Sequence, residues 1–234
     1  MTFRKAHRTS AKLRLAITGT AGSGKTYSSI LIAKGLGGNF ALIDTENGSG
    51  DLYSSLGDYD ICQLNAPYDP RRYVQCIHEA EKADYTTIII DSLSHAWSGQ
   101  GGILDLQGKI AEAKYRGNSY AAWRDVTPLQ NALVDCLLSS PCHIIATMRS
   151  KTDYLQCENE RGRTEIRKVG LAPVQREGID YEFTTVFDLS QEHIAIASKD
   201  RTGLFSGTPF TVDQHTGEIL RDWLNYSNDT RKGD

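Results

Sequence analysis

Gly19-Thr20-Ala21-Gly22-Ser23-Gly24-Lys25-Thr26 reads G-x-x-x-x-G-K-[ST], the spacing of a loop that holds nucleoside triphosphates. Each part of that spacing has a physical task. The glycines let backbone N–H groups turn inward around a β-phosphate with no Cβ in the way. Lys25 sets a point charge against the β- and γ-phosphates, and the Thr26 hydroxyl is a ligand for Mg²⁺. A helix beginning here adds its positive N-terminal end to the anion site. The flanks agree with this reading. Leu13-Arg14-Leu15-Ala16-Ile17-Thr18 alternates as a strand, and Tyr27 to Gly35 follows as a helix with a glycine stop. A glycine-rich structural turn would need neither flank.

The chain has 234 residues, 39% hydrophobic and 24% charged, which suits one α/β domain with a sizeable core. No apolar stretch approaches the roughly 20 residues needed to span a membrane, so no membrane partner is expected. The net charge of -3 carries no overall nucleic-acid signal, so any such signal must be local. The five cysteines (Cys62, Cys76, Cys136, Cys142, Cys157) form no C-x-x-C pair and no metal spacing, and the six histidines no ligand spacing. Reduced thiols in a cytoplasmic protein are the expectation. Arg4, Lys5, Arg8, Lys12 and Arg14 face no acid in the first 14 residues. We read residues 1–12 as a basic arm and 13–234 as a single domain.

Strands are expected at Phe40–Asp44, Asp60–Leu64, Thr86–Asp91, His143–Met148, Glu182–Leu189 and His193–Lys199. Helical patterns fall at Pro70–Lys82, Ile103–Tyr115, Ala121–Leu138 and Gly217–Tyr226. Strands alternating with helices predict a mostly parallel sheet covered on both faces, with the last two strands pairing antiparallel. Arg149–Leu171 is polar, charged and too long for an idle connection.

Thr87-Ile88-Ile89-Ile90-Asp91-Ser92 is an apolar strand ending in a carboxylate, the Walker B pattern, which makes Asp91 the second metal-site residue beside Thr26. Ser92, not a glutamate, follows Asp91, so the base that orients water must come from another strand end. Leu42-Ile43-Asp44-Thr45-Glu46-Asn47 is the source, and Glu46 is read as the general base. GTPases are disfavoured: Asp91-Ser92-Leu93-Ser94 is not D-x-x-G, and no N-K-x-D appears.

These segments, with Ser198-Lys199-Asp200-Arg201-Thr202-Gly203, stand in the order and approximate spacing of the RecA-like recombinase core. The resemblance implies a RecA-like P-loop fold, ATP with Mg²⁺ as cofactors, and Glu46 as catalytic glutamate. It puts Tyr53 at the position that stacks on adenine. It implies that Lys199 and Arg201 act across a subunit interface on the neighbour's γ-phosphate, hence a homo-oligomer, ring or filament. Aligning on Arg149 puts Thr147 where RecA carries a γ-phosphate-sensing glutamine, and threonine has no amide. The match covers residues 12 to about 205, without the extra terminal domains of full recombinases. Ser92–Trp97, Ala121–Arg124, Ala146–Lys151 and Gln175–Gly178 resemble the core-only phage recombinases of the fourth Sak family. That family implies single-stranded DNA binding, strand annealing, a slow DNA-dependent ATPase and a single-strand-binding protein as helper.

In the resembled fold two loops face DNA. The first corresponds to about Gly99–Tyr120, with Lys114, Tyr115, Arg116 and Tyr120. The second is Arg149–Leu171, where Arg149, Lys151, Arg161, Arg163, Arg167 and Lys168 face four acids. Thr152–Glu158 and Thr164–Lys168 flank Asn159-Glu160-Arg161-Gly162, so a β-hairpin with a basic tip is expected. Two other readings stay open at this stage: a small-molecule kinase with an arginine-bearing lid over 149–168, and a DNA-annealing module holding ATP as a structural ligand.

Overall fold

The computed structural model describes residue 5 and residues 10–158 and 164–226, and of residues 152–158 and 164–171 the backbone alone. Arg4, Arg8, Arg161 and Arg163 lie outside the described residues. So do the side chains of Arg167 and Lys168.

The chain forms a mixed α/β fold around one nine-stranded sheet. The order along the sheet is β3 (Asp60–Gln63), β2 (Phe40–Asp44), β4 (Thr87–Asp91), β5 (His143–Glu158), β1 (Arg14–Gly19), β7 (Thr185–Leu189), β8 (Ile194–Asp200) and β9 (Phe210–Thr211), while β6 (Thr164–Pro173) pairs only with β5. The pairings from β3 through β7 are all parallel, and β8 and β9 add antiparallel at one side. The helices are α1 (Lys25–Leu36), α2 (Pro70–Lys82), α3 (Ser94–Ser98), α4 (Ile103–Tyr115), α5 (Ser119–Ser139) and α6 (Gln214–Asn225). None of them is long and apolar enough to cross a membrane.

The apolar strand runs are continuous because both sheet faces are covered. Leu15, Ile17, Leu42, Ile89 and Ile145 join a core with Ile30, Ile32 and Leu220 from α1 and α6. Their neighbours Ala16, Ile43, Ile88, Ile90 and Ile144 turn to the opposite core with Tyr73 and Ile77 of α2 and Leu133 and Leu137 of α5.

Two local expectations are corrected. Gly35 is not the stop of α1, which ends at Gly37 with φ 81°. Instead, a Cβ at Gly35 would lie 2.0 Å from the Gln214 carbonyl oxygen, and one at Gly217 would lie 2.2 Å from that of Ile32. The two glycines let α1 and α6 touch backbone to backbone. Arg14 lies in β1, as the strand reading expects. It is buried there, and its guanidinium donates to the carbonyls of Leu13, Leu138, Ser140 and Cys142, tying down the end of α5. The strand expected from Glu182 starts at Thr185, because Ile179–Glu182 turns as a 3₁₀ helix.

Within Arg149–Leu171, the described residues on either side of 159–163 pair as two antiparallel strands. β5 runs parallel to β1 as far as Arg149, opposite Gly19, then continues past the sheet edge paired with β6 from Ser150↔Pro173 to Glu158↔Thr164. At about 3.4 Å per residue the paired part is roughly 25–30 Å long.

Candidate active site

The strands β1, β2 and β4 end, and β5 leaves the sheet, at one edge, and this edge carries the site. Gly19 closes β1, Asp44 and Asp91 are direct partners at the ends of β2 and β4, and Thr147 and Arg149 lie level with Ile17 and Gly19 on β5. Ligands of open parallel sheets sit at such carboxyl ends.

Gly22 and Gly24 turn the loop with φ of 77° and 85°, backbone that side chains disfavour. The turn delivers Lys25 to the first position of α1. Its Nζ donates to the Thr20 carbonyl at 2.8 Å, across the mouth of the loop. Burial lowers the Lys25 pKa, while Asp91 and Glu46 pull it back up. The Ser23 hydroxyl is buried without a partner. Ala21 is exposed on the loop.

Asp91 is 2% exposed. Thr26 Oγ1 donates to one carboxylate oxygen at 2.5 Å and Thr147 Oγ1 to the other at 2.5 Å. Burial pushes the Asp91 pKa up against these two bonds. A buried carboxylate beside a threonine hydroxyl is a hard oxygen set, and it fits Mg²⁺. Thr26 and Asp91 would hold the ion, which when bound draws charge from the β- and γ-phosphate oxygens. Thr147 takes a different part from the one expected of it. It is fully buried, and its hydroxyl orients Asp91, so it does not stand free at the γ-phosphate position.

Glu46 lies two residues past β2, with its N–H donating to Asp44 Oδ1 at 2.6 Å. Its carboxylate is gripped by Arg149, Nε to Oε1 at 3.0 Å and Nη2 to Oε2 at 2.5 Å. Burial raises the Glu46 pKa, but the Arg149 hydrogen bond and charge, with His95, outweigh it and hold the acid ionised. The Arg149 side chain is 49% exposed, and an ion pair so open to water is worth about 0.2–1 kcal/mol. Arg149 is thus engaged with Glu46 at the root of β5 while half of its side chain stays open to water. Ser92 is fully buried and offers no acid after Walker B.

Tyr53 is brought to the P-loop. With Gly24, Tyr27, His193, Thr211 and Val212 it lines a cavity of about 460 Å³, and the Tyr27 and Tyr53 rings meet edge to face at 6.1 Å. Sequence reasoning missed three residues here. Tyr27 follows Thr26 directly and was legible by position. His193 reaches Gly24 only through the β7–β8 turn. His95, one of the histidines without ligand spacing, stacks on Tyr68 at 4.7 Å, its Nδ1 is 2.7 Å from Thr45 Oγ1, and burial, then Arg149, lower its pKa. Its spacing, four residues past Asp91, was the available signal.

Lys199 and Arg201 are not at this site. Asp200 pairs with Thr185, at the end of β7 away from Leu189 and Gly19. Four residues of strand, about 13 Å, separate them from the P-loop edge. Lys199 Nζ donates to the carbonyls of Asp180 at 2.9 Å and Tyr181 at 2.6 Å, and Arg201 to that of Tyr181 at 3.5 Å. They cannot serve the chain's own phosphates.

Of the DNA candidates, Lys114 pairs with Asp125 at 2.8 Å, and the Tyr115 hydroxyl reaches the same carboxylate at 3.3 Å. Arg116 is exposed at the left-handed cap of α4, and Lys151 is exposed near the hairpin root.

A triphosphate loop, a buried Walker B aspartate and a glutamate on the adjacent strand end define a P-loop nucleotide-hydrolysing domain. A family model described as an AAA domain matches residues 11–216, and the chain belongs to that family. It is a nucleotide-binding ATPase domain. No curated protein matches the chain.

Proposed function

We propose that this ATPase works on single-stranded DNA as a RecA-like core that anneals complementary strands, in the manner of the core-only phage recombinases it resembles. The observation that carries the reading is the β5–β6 hairpin. It rises from the strand beside the P-loop strand, at the edge that holds Asp91 and Glu46. Six basic residues face four acids between 149 and 168. Tyr120, 87% exposed at the start of α5, and the exposed Arg116 offer a stacking ring and a cation. Phosphate contacts with aromatic stacking give strand binding without sequence readout.

In this reading Lys25 holds the β- and γ-phosphates while Glu46 takes the proton of the attacking water. A single-strand-binding protein is the helper the resemblance implies.

Binding should prefer single strands to duplex and weaken as salt rises, since each neutralised phosphate releases about 0.7 counterion from a single strand. Changing Arg161, Arg163, Arg167 and Lys168 together to Ala should flatten that salt slope and lower affinity for all sequences alike, with basal ATPase retained. Fluorescence anisotropy across a salt series, run beside a strand-annealing assay, measures this. A quadruple variant that anneals like wild type would move the DNA site elsewhere, first to the basic arm.

Lys199 and Arg201 lie at the far end of the sheet from their own P-loop, which supports action on a neighbour's phosphates through a head-to-tail interface. Mixing Arg201→Ala with Lys25→Ala subunits should then restore ATPase at shared sites that join an intact P-loop to an intact arginine. A wild type that is active as a strict monomer, with no complementation at any mixing ratio, would remove the finger in trans.

A further inference from the structure

Three features meet at Arg149. Its guanidinium occupies both oxygens of Glu46 in a fork. Its backbone is the root of the hairpin: the N–H donates to Ser94 Oγ at 2.9 Å, and the carbonyl accepts from Val174 N–H at 2.6 Å where β6 returns. It also follows Thr147, which orients Asp91, by two residues, so the two share one face of β5. One side chain thus joins the acid that faces the phosphates to the segment that leaves the sheet.

A carboxylate held in a two-pronged guanidinium contact is a poor proton acceptor, because both oxygens already receive hydrogen bonds and a full positive charge favours the ionised form. Other groups surround this acid: Lys25 and His95 on the cationic side, and Asp44 and Asp91 as like charges. Of these, the described contacts give only Arg149 both carboxylate oxygens. The same planar fork fits a phosphodiester as well as a carboxylate. Half of the arginine side chain is open to water, so a polyanion lying along the hairpin root can reach it.

We propose that Arg149 is a positioning residue for hydrolysis, holding Glu46 away from the attacking water until a single-stranded polyphosphate bound along the β5–β6 hairpin draws its guanidinium off. This rests on the reading of Glu46 as the base and of the hairpin as strand-binding. Nucleotide turnover is then low at rest and rises when a strand is engaged, with no rearrangement of the P-loop required.

The test uses the full chain with Arg149→Ala, Arg149→Lys and Arg149→Ala combined with Glu46→Gln. ATP hydrolysis is followed without and with saturating poly-dT, with poly-dT binding measured in parallel by anisotropy. Arg149→Ala should raise basal kcat roughly 2- to 5-fold, the scale of a half-exposed ion pair, with KM for ATP unchanged. It should lose strand stimulation while still binding poly-dT. Arg149→Lys, which keeps the charge but not the fork, should fall between. The double variant should be as inactive as Glu46→Gln alone, which routes the gain through Glu46. A basal rate at or below wild type in Arg149→Ala, or stimulation of wild-type size, overturns the inference. The readings beneath it fail differently. Normal turnover in Glu46→Gln alone removes the base, whereas a wild type that binds no poly-dT removes the strand and with it the drawing-off of Arg149.

Discussion

Glu46→Gln is expected to bind ATP as wild type does and to hydrolyse it about 100- to 10,000-fold more slowly, the usual worth of a general base. The amide keeps the shape of the carboxylate at the end of β2 but cannot take the proton of water. It can still accept a hydrogen bond from Arg149, so the local structure should hold. Nucleotide affinity by titration calorimetry and turnover by phosphate release separate the two effects. Loss of affinity in step with loss of turnover would instead make Glu46 a structural or metal-site residue. Because Arg149 and His95 hold the Glu46 pKa below its ordinary value, the acid is already ionised at neutral pH. Its proton-accepting form is lost only as pH falls through that lowered value, so the acid limb of the wild-type rate profile should lie below the usual glutamate range.

Lys25→Ala is expected to lower turnover by roughly 30- to 1,000-fold, the loss of about 2–4 kcal/mol of transition-state stabilisation from one charge-assisted phosphate contact. The fold should survive. Lys25 makes its hydrogen bond to the Thr20 carbonyl within its own loop, and the buried cores on either side of the sheet do not include it. Thermal melting should therefore change little without nucleotide, while stabilisation by added ATP should shrink, because a ligand stabilises only in proportion to its affinity. Unchanged hydrolysis would show that this lysine is not at the phosphates.

How much of this was readable in advance follows the reach of each signal along the chain. Pro70–Lys82 and Ile103–Tyr115 form helices with the expected bounds, since their periodicity is local, and α2 carries its own Asp69 cap and Pro70 start. The hairpin at 149–171 was legible from two alternating runs around a turn sequence, although its first strand proved to be a direct continuation of β5. Arg14 was placed in its strand, but its burial was not legible, because a charge among charges looks solvated. Only the arrival of α5's last turn supplies the carbonyls that let it be buried. Gly35 looked like a stop because the helix packed against it, α6, starts about 180 residues later.

The amino-acid sequence by itself determined the P-loop, the Walker B strand, the mostly parallel sheet with an antiparallel margin, and the candidacy of Glu46. All of these are patterns among residues close together in the chain, where backbone geometry and burial repeat with fixed periods. The tertiary structure alone decided the pairings across long separations. Thr147 orients Asp91 from 56 residues away, Arg149 grips Glu46 across 103, and Lys199 and Arg201 fall at the opposite end of the strands from the P-loop of their own chain. Strand order and register set those meetings. A strand's own residues prescribe which side chains face which way, but not which strand will lie beside them.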